Sequence, residues 1–228
     1  SRGLGDVYKR QKYSTFLDLY DSFGVYVADD ELSKSYAKAY GVDTLYQYQH
    51  GGLPNIACEW PTSSYLNFTA LTALSYSIFA PSNTAINSFF DSFWKIGGYS
   101  SMQEVDALAL NYFLYQFIYG GSMLFPEELG DDELKNLAGS SLNINPAALN
   151  EKTMCVNGAL YGMDEIKEPS TFASVIGPLF QYKSARSFLY ALLGSSLFSS
   201  YVSDLSKYIV LVPTAEQFEA SGIRTVYS

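Results

Sequence analysis

The chain has 228 residues, 48% of them apolar, and a formal net charge of −9. This length allows one or two domains and the apolar content is ample for a core, while the acidic balance argues against a nucleic-acid partner, which needs clustered Lys and Arg. No apolar run approaches the roughly 20 residues that a bilayer-spanning helix requires, so we expect no transmembrane segment.

The N-terminal part of the chain predicts two helices after a short irregular stretch. Residues 1–11 lack hydrophobic periodicity and resemble translated adapter sequence, so we expect them to lie outside the fold. The apolar spacing over Tyr13–Phe23 predicts a helix with one buried face, ending at Gly24 in a left-handed cap. Asp29–Tyr40 predicts a second, surface-type helix.

The next segment, from Gly41 to Tyr65, has no clear period and is typical of a loop. It is rich in aromatic residues: Tyr46, Tyr48, Trp60 and Tyr65. Aromatic side chains on a rigid loop offer flat, partly polar faces on which sugars or a partner protein can stack. The alternative, which we favour, is that they pack this long segment against its own domain.

His50, in the same segment, is the only histidine of the chain. A single imidazole excludes most zinc sites and any mechanism that needs two histidines. Beside Gly51-Gly52 it is a candidate to face a ligand, although a solvent-exposed loop histidine is the favoured interpretation. A catalytic pair of the His50 imidazole with a Cys58 thiolate would need a third group to orient it, and none is evident in the sequence. Cys58 and Cys155 either form a disulfide or stay two buried thiols.

The remaining elements alternate between helices and strands. Met102–Tyr119 predicts a helix that ends at Gly120-Gly121, and Asn157-Gly158 predicts a two-residue hairpin turn. A break near Pro169 marks a domain boundary, followed by a helix around Ser184–Leu193 and a strand at Tyr208–Val212. Strands interrupted by helices and closed by a hairpin give an α+β fold class.

Two acidic groups invite a metal-site or glycosidase interpretation. They are Asp29-Asp30-Glu31 and Asp131-Asp132-Glu133. Because negative charge is favourable at a helix N-terminus, we interpret both as helix starts. The chain has no Gly-x-Ser-x-Gly elbow, no phosphate-binding Gly-Lys-Ser/Thr loop and no dinucleotide fingerprint, so the catalytic case is weak.

A short pattern occurs twice, at Ile78–Ile86 and at Val210–Phe218. Each copy runs from an apolar, strand-like stretch through a proline into a helix-like segment. The proline cannot donate to a sheet ladder and therefore ends the strand. The hydroxyl residue that follows, Ser82 or Thr214, is suited to cap the helix. The repeat predicts two related modules.

This pattern resembles the opening motif of fasciclin-type domains. Residues 137–144 are similar to the family's Thr-Leu-x-Gly motif, and 156–166 resemble its closing hairpin. The resemblance implies a wedge-shaped β-sandwich with flanking helices over 12–168, with a long insertion around 25–73. Residues 169–228 would then begin a second such domain, so we expect the chain to be a fragment of a longer protein.

The resemblance also implies a function. Where many family members carry an adhesive Tyr-His pair, this chain reads Tyr115-Gln116. We expect a non-enzymatic protein without a cofactor. By its resemblance to bacterial surface lipoproteins of the family, it would lie in the cell envelope, at the outer-membrane surface, or be secreted. A lipid anchor upstream of this sequence is one option. The ligand would be a surface protein or a polysaccharide. The alternative is an accessory carbohydrate-binding lipoprotein of a glycan-uptake system. The candidate ligand-binding residues are Tyr46, Tyr48, His50, Trp60, Tyr115 and Gln116.

Overall fold

A computed structural model describes residues 11–50, 53, 75–130, 133–142, 144–155, 158–202 and 207–224. The predictions for residues 1–10 and for Cys58, Trp60 and Tyr65 lie outside these ranges. Helices and strands alternate along the chain, which confirms the α+β class. The described strands form two open sheets, a two-stranded ribbon and a four-stranded sheet with the order β4-β3-β6-β5.

The strands are β1 (Gly24–Ala28), β2 (Tyr46–His50), β3 (Tyr76–Pro81), β4 (Ile118–Gly120), β5 (Leu149–Cys155) and β6 (Gly158–Met163). The α-helices are α1 (Ser14–Asp21), α2 (Asp30–Leu32), α3 (Lys38–Tyr40), α4 (Asn83–Ser92), α5 (Ala107–Tyr115), α6 (Ser170–Ala173), α7 (Gly177–Gln181), α8 (Arg186–Leu193), α9 (Phe198–Val202) and α10 (Ala215–Ala220). A π-helical turn, Ser33–Ala37, joins α2 to α3. Short 3₁₀ turns lie at Met102–Glu104, Pro126–Glu128, Pro146–Ala148 and Lys183–Ala185.

The four-stranded sheet is built around β3. This strand pairs antiparallel with β4 on one side and parallel with β6 on the other. Ile78, Phe79 and Ala80 are all buried, which is expected of a central strand whose apolar run is covered on both faces. As predicted, Pro81 is the last residue of the strand.

The two copies of the proline pattern share a capped helix but not a paired strand. In the first copy, the Ser82 hydroxyl accepts a 3.2 Å hydrogen bond from the Ala85 amide at the start of α4. In the second, the Thr214 hydroxyl accepts a 3.3 Å bond from the Gln217 amide of α10. Both predicted caps are therefore confirmed. Residues 208–212, however, pair with no other strand within the described part of the chain, contrary to the prediction.

The largest buried side chains form an aromatic core between the helices. Phe93 and Phe172 stack at 5.0 Å, and Phe172 lies 5.1 Å from Phe180. The indole nitrogen of Trp94 donates a 3.0 Å hydrogen bond to the carbonyl oxygen of Phe180. Helices α6 and α7, which follow Pro169, thus complete the same core as α4. The domain boundary near Pro169 stays a prediction, but this packing crosses it.

Two predicted helices end earlier than the apolar spacing indicated. Helix α1 ends at Asp21, and Gly24 is the first residue of β1 instead of a left-handed cap. The predicted helix over Met102–Tyr119 splits into a 3₁₀ turn, α5 and β4. The break occurs because Val105 is extended and the Asp106 carboxylate caps α5 through the Leu108 amide at 3.0 Å.

Four further local predictions are confirmed or corrected by the structure. The predicted loop contains a strand, because β2 pairs along its whole length with β1. Gly158, predicted as a turn residue, is instead the first residue of β6 and pairs with Cys155. Asp29 caps α2 as expected, through a 2.9 Å bond from the Leu32 amide. No helix begins at Glu133; residues 133–142 instead form a turn closed by a Lys135–Ser141 bridge.

Candidate functional site

The two-stranded ribbon brings three tyrosines to one face. Strand β1 pairs antiparallel with β2, so that Tyr26 lies opposite Tyr48 and Ala28 opposite Tyr46. Opposite residues of an antiparallel pair point to the same side, and so do alternate residues along each strand. Tyr26, Tyr46 and Tyr48 therefore share one side of the ribbon, which we call the aromatic face.

The aromatic face is open to solvent. The exposed fraction is 74% for Tyr26 and 61% for Tyr46. The rings of Tyr26 and Tyr48 contact each other at 4.9 Å between centroids, tilted by 49°. On the other side of the ribbon, Val25 and Val27 are exposed as well. The ribbon therefore presents large side chains that the domain core does not use.

Gly24 makes room for this arrangement. A Cβ atom at Gly24 would overlap the phenol of Tyr48. Tyr48 can lie across the base of the ribbon because residue 24 has no side chain. The sequence shows Gly24 only as a helix stop, so this steric role is visible only once the register between the two strands is known.

His50 anchors the base of the ribbon. It is only 5% exposed, so the expectation of a solvent-exposed loop histidine is wrong. Its Nε2 lies 3.4 Å from a carboxylate oxygen of Asp21, and its ring contacts Tyr20 at 4.3 Å and Tyr48 at 5.0 Å. The burial follows from the pairing of β2, which turns His50 onto α1. Nδ1 has no hydrogen-bond partner among the described residues.

The far end of the ribbon is bonded to the segment that connects its two strands. The Asp29 amide donates a 2.9 Å bond to the Leu45 carbonyl oxygen, and the Leu45 amide donates a 2.8 Å bond to the Ser33 hydroxyl. An isolated two-stranded hairpin is marginally stable in water. His50 attaches the base of the ribbon to α1, and the bonds at Leu45 join its far end to the segment that connects its two strands.

Tyr115 and Gln116 lie away from the ribbon, at the end of α5. Gln116 is buried, and its carboxamide is used at both ends. The Gln116 side-chain nitrogen donates to the Tyr112 carbonyl oxygen at 3.1 Å and to the Thr171 hydroxyl at 3.4 Å. The Gln116 side-chain oxygen accepts a 3.1 Å bond from the side-chain nitrogen of Asn136. Gln116 therefore ties α5 to the 136–141 turn and to α6.

Hollows near these residues are small. One beside Gln116, bordered by Asn136, Ser141 and Glu165, has a volume of about 30 Å³, enough for about one water molecule. Another lies between α1 and the β5–β6 hairpin, with a volume of about 110 Å³ and a mostly apolar lining that includes Leu17 and Leu160. Both are far below the roughly 300 Å³ of ordinary small-molecule pockets.

The shifted ionisable groups do not form a cluster on the ribbon. Burial raises the pKa of Tyr112 and of Tyr161, whose hydroxyl donates a 2.7 Å bond to the Leu124 carbonyl oxygen. The pKa of Glu104 is lowered by the hydrogen bond from the Ser100 amide and by the nearby Lys183 ammonium. These shifts follow from local burial and pairing and do not point to a shared reacting centre.

Within the ranges that the structure describes, no three His, Cys, Asp or Glu side chains group closely enough to hold a metal ion. The helices of the same ranges are all too short or too polar to cross a membrane. Comparison with protein-family models, with curated proteins and with solved structures found no match to this chain.

Of the six candidate residues, the structure brings Tyr46, Tyr48 and His50 together on the ribbon. Tyr115 and Gln116 lie elsewhere, and Trp60 lies outside the described residues. Sequence reasoning missed Tyr26, which stands in β1 opposite Tyr48. The alternation of Val25, Tyr26 and Val27 is a strand signal that could have indicated it.

Proposed function

We propose that this chain is a non-enzymatic adhesion or ligand-binding protein of the fasciclin type, acting at the cell envelope or after secretion. The ligand contacts the aromatic face. The observation that carries this proposal is the placement of Tyr26, Tyr46 and Tyr48 on one solvent-exposed side of a ribbon whose base is attached to α1 through His50.

Exposing several large aromatic side chains on one surface is unfavourable in water. Contiguous apolar surface on a soluble protein marks an interaction site, and tyrosine is enriched at the centres of interfaces. A tyrosine buries a large area on binding while freezing only two side-chain torsions, and its hydroxyl keeps a polar contact. An anchored ribbon adds little ordering cost on binding.

The fasciclin assignment rests on the sequence motifs, with local support from the two capped helices. Ser82 and Thr214 occupy equivalent places after Pro81 and Pro213, and each accepts a hydrogen bond from the amide three residues later. The wedge-shaped sandwich over residues 12–168 and a second module from residue 169 belong to this proposal.

A second candidate is an accessory carbohydrate-binding lipoprotein of a glycan-uptake system. The observation that favours it is the adjacent pair Tyr26 and Tyr48, because sugar rings bind proteins by stacking on aromatic side chains. The two candidates use the same surface and differ in the ligand.

The two candidate functions can be distinguished by measuring binding of the purified chain to a panel of immobilised glycans and extracellular-matrix proteins. Retention on matrix proteins supports the adhesion function, whereas retention on glycans alone supports the carbohydrate alternative. In either case we expect the double variant Tyr26→Ala, Tyr46→Ala to bind at least about tenfold more weakly, as is usual when aromatic anchors are removed.

Tyr40→Ala is the matched control. Tyr40 is 74% exposed, the same fraction as Tyr26, but lies at the end of α3 and not on either strand of the ribbon. Its replacement should leave binding unchanged. Equal weakening by Tyr40→Ala and by the double variant would mean that general surface aromaticity, and not the aromatic face, is responsible.

A further inference from the structure

The side of the ribbon that carries the aromatic face contains no Asp, Glu, Lys or Arg. Because side chains alternate along each strand, this side takes the positions Gly24, Tyr26, Ala28, Tyr46, Tyr48 and His50. The chain as a whole has a formal net charge of −9. A ligand on this surface therefore meets phenol rings and hydroxyl groups, and it meets no carboxylate, ammonium or guanidinium group.

The base of the ribbon is bordered by a carboxylate. His50 is buried, and its Nε2 lies 3.4 Å from a carboxylate oxygen of Asp21. The side chain of Asp21 is 68% exposed. Because the His50 ring also contacts Tyr48 at 5.0 Å, this exposed carboxylate lies close to one end of the aromatic face.

The far end of the ribbon is bordered by carboxylates as well. There, Ala28 at the end of β1 lies opposite Tyr46 at the start of β2. Asp30 follows Ala28 by two residues. Asp43 precedes Tyr46 by three residues, and the side chains of Asp30 and Asp43 are both exposed. A ligand that runs along the aromatic face therefore has carboxylates near both ends of its path.

The segment between the strands also carries positive charge, but less of it. From Asp21 to His50 the chain has five carboxylate side chains and two lysines, Lys34 and Lys38. The local charge is therefore negative, like that of the whole chain. A polyanion that approaches the aromatic face is repelled, and no basic side chain on that side of the ribbon compensates for the repulsion.

The chemistry of the aromatic face suits an uncharged sugar. A pyranose ring presents C–H groups on its two faces, which stack on aromatic rings, and hydroxyl groups around its edge. The rings of Tyr26 and Tyr48 contact each other, and Tyr46 stands about 7 Å from Tyr48 along β2, so stacking positions follow one another along the ribbon. None of the six positions carries an aliphatic side chain larger than alanine, against which a protein ligand would pack; Val25 and Val27 belong to the other side.

We propose that the aromatic face binds an uncharged glycan chain and excludes polyanionic glycans. The inference rests on the proposed function, because it names the ligand class of the same surface. Sugar rings stack on Tyr26, Tyr46 and Tyr48, whose hydroxyl groups bond to sugar hydroxyls. The carboxylates at the two ends of the ribbon repel polymers that carry carboxylate or sulfate groups.

The test compares neutral polysaccharides with charged forms of the same backbone. The probes are dextran, laminarin and hydroxyethyl cellulose, each measured beside the carboxymethyl derivative of its backbone. In about 20 mM NaCl, at least one neutral polymer should bind the full chain at least about fivefold more tightly than its carboxymethyl partner. In about 0.5 M NaCl the difference should shrink, because salt shortens the Debye length to below about 5 Å, while binding of the neutral polymer should stay the same. A difference that salt leaves unchanged would come from the bulk of the substituent and would overturn the charge-based exclusion.

Removing the bordering carboxylates tests their role directly. The double variant Asp30→Asn, Asp43→Asn should bind the carboxymethyl polymers about two- to threefold more tightly in low salt and the neutral polymers equally well. The matched control is Glu127→Gln, Glu219→Gln, which removes two exposed carboxylates that lie on neither the ribbon nor its connecting segment. This control should change neither affinity. An equal effect of both double variants would mean that only the net charge of the chain matters, and would overturn the proposal.

The same measurements separate failure of this inference from failure of the proposed function. Neutral and carboxymethyl polymers that bind equally, or matrix proteins that bind while every neutral polymer fails, overturn the inference alone, provided that Tyr26→Ala, Tyr46→Ala still weakens the binding that is seen. Binding of a neutral polymer that survives this double variant places the glycan elsewhere and overturns the inference too. A chain that binds none of the polymers and no matrix protein contradicts the proposed function itself.

Discussion

The ring of Tyr26 lies 4.9 Å from the ring of Tyr48, directly across the ribbon from it. The two residues are 22 positions apart in sequence and come from different strands, so their contact exists only while β1 and β2 are paired in register. A shift of one residue would turn one of the two rings to the opposite face. The aromatic face is therefore a product of the pairing.

Gly24→Ala should disturb the aromatic face while leaving the fold intact. The added Cβ would overlap the phenol of Tyr48, which must move aside. The free energy of unfolding should change by less than about 1 kcal/mol, because the neighbour is a movable side-chain tip and alanine also lowers the entropy of the unfolded chain. Ligand binding should fall clearly. Urea unfolding and the panel assay measure the two effects.

Gly130→Ala is the control for this substitution. A Cβ atom at Gly130 meets no atom within 4 Å, so binding and stability should both stay near wild type. If Gly24→Ala binds as well as Gly130→Ala, the position of Tyr48 does not matter for the ligand.

Gln116→Ala should be strongly destabilising, although Gln116 is one of the candidate ligand-binding residues. The substitution leaves the buried side-chain amide of Asn136 without its partner and removes one of the two partners of the buried Thr171 hydroxyl, which also contacts the Ser140 hydroxyl. We expect a loss of about 2–4 kcal/mol in the free energy of unfolding, with ligand binding retained by the folded fraction. Gln103→Ala, at an exposed position, should cost less than about 0.5 kcal/mol. Similarly small losses in the free energy of unfolding for Gln116→Ala and Gln103→Ala would contradict the structural role given to Gln116.

Short-range features of the fold could be read from the sequence, and long-range ones could not. Ser82, Thr214 and Asp29 cap helices as predicted because a cap involves residues only three positions apart. The pairing of β1 with β2 joins residues up to 26 positions apart, Gly24 with His50. Nothing local in the sequence distinguishes His50 in a strand from His50 in a loop, so its burial could not be predicted.

Trp94→Phe should destabilise the whole described core. It removes the donor to the Phe180 carbonyl oxygen and part of a fully buried ring. We expect a loss of about 2–4 kcal/mol. Because α6 and α7 share this core with α4, urea unfolding should remain a single transition. Phe125→Leu, at an exposed position, is the control and should change stability by less than about 0.5 kcal/mol. Two transitions, only one of them shifted, would argue for separate units before and after Pro169.

Tyr161→Phe should show a pH-dependent cost. At neutral pH the variant loses the 2.7 Å bond to the Leu124 carbonyl oxygen, worth about 1–2 kcal/mol. Burial raises the pKa of Tyr161 in the folded state. Its stabilising contribution is therefore complete below the unfolded-state pKa of about 10 and is lost as the pH rises through the folded-state pKa.

The wild type should accordingly lose more stability than Tyr161→Phe between pH 9 and 11, roughly the window around the phenol pKa. Urea midpoints at several pH values measure this difference. Tyr36→Phe, at an exposed position on the π-helical turn, should follow the wild type. Parallel pH profiles for the wild type and Tyr161→Phe would show that Tyr161 carries no such contribution.

The candidate site was predictable in composition but not in geometry. The sequence indicates tyrosines at 46 and 48 as ligand-contact candidates, and the structure places both on the aromatic face. The residues around Tyr26 indicate a strand, but that Tyr26 lies opposite Tyr48 follows only from the strand register. Gln116 was carried over from a family motif, and its burial depends on packing against Asn136 and Thr171 from distant parts of the chain.

The affinity of the Tyr26→Ala, Tyr46→Ala variant, relative to Tyr40→Ala, for the strongest ligand found on the panel tests the central claim most directly. Isothermal titration or surface plasmon resonance on folded, monomeric protein gives both values. The aromatic face predicts a dissociation constant at least about tenfold higher for the double variant, with Tyr40→Ala equal to the wild type. Equal affinities for the two variants, or a wild type that binds neither glycans nor matrix proteins, would contradict the proposal.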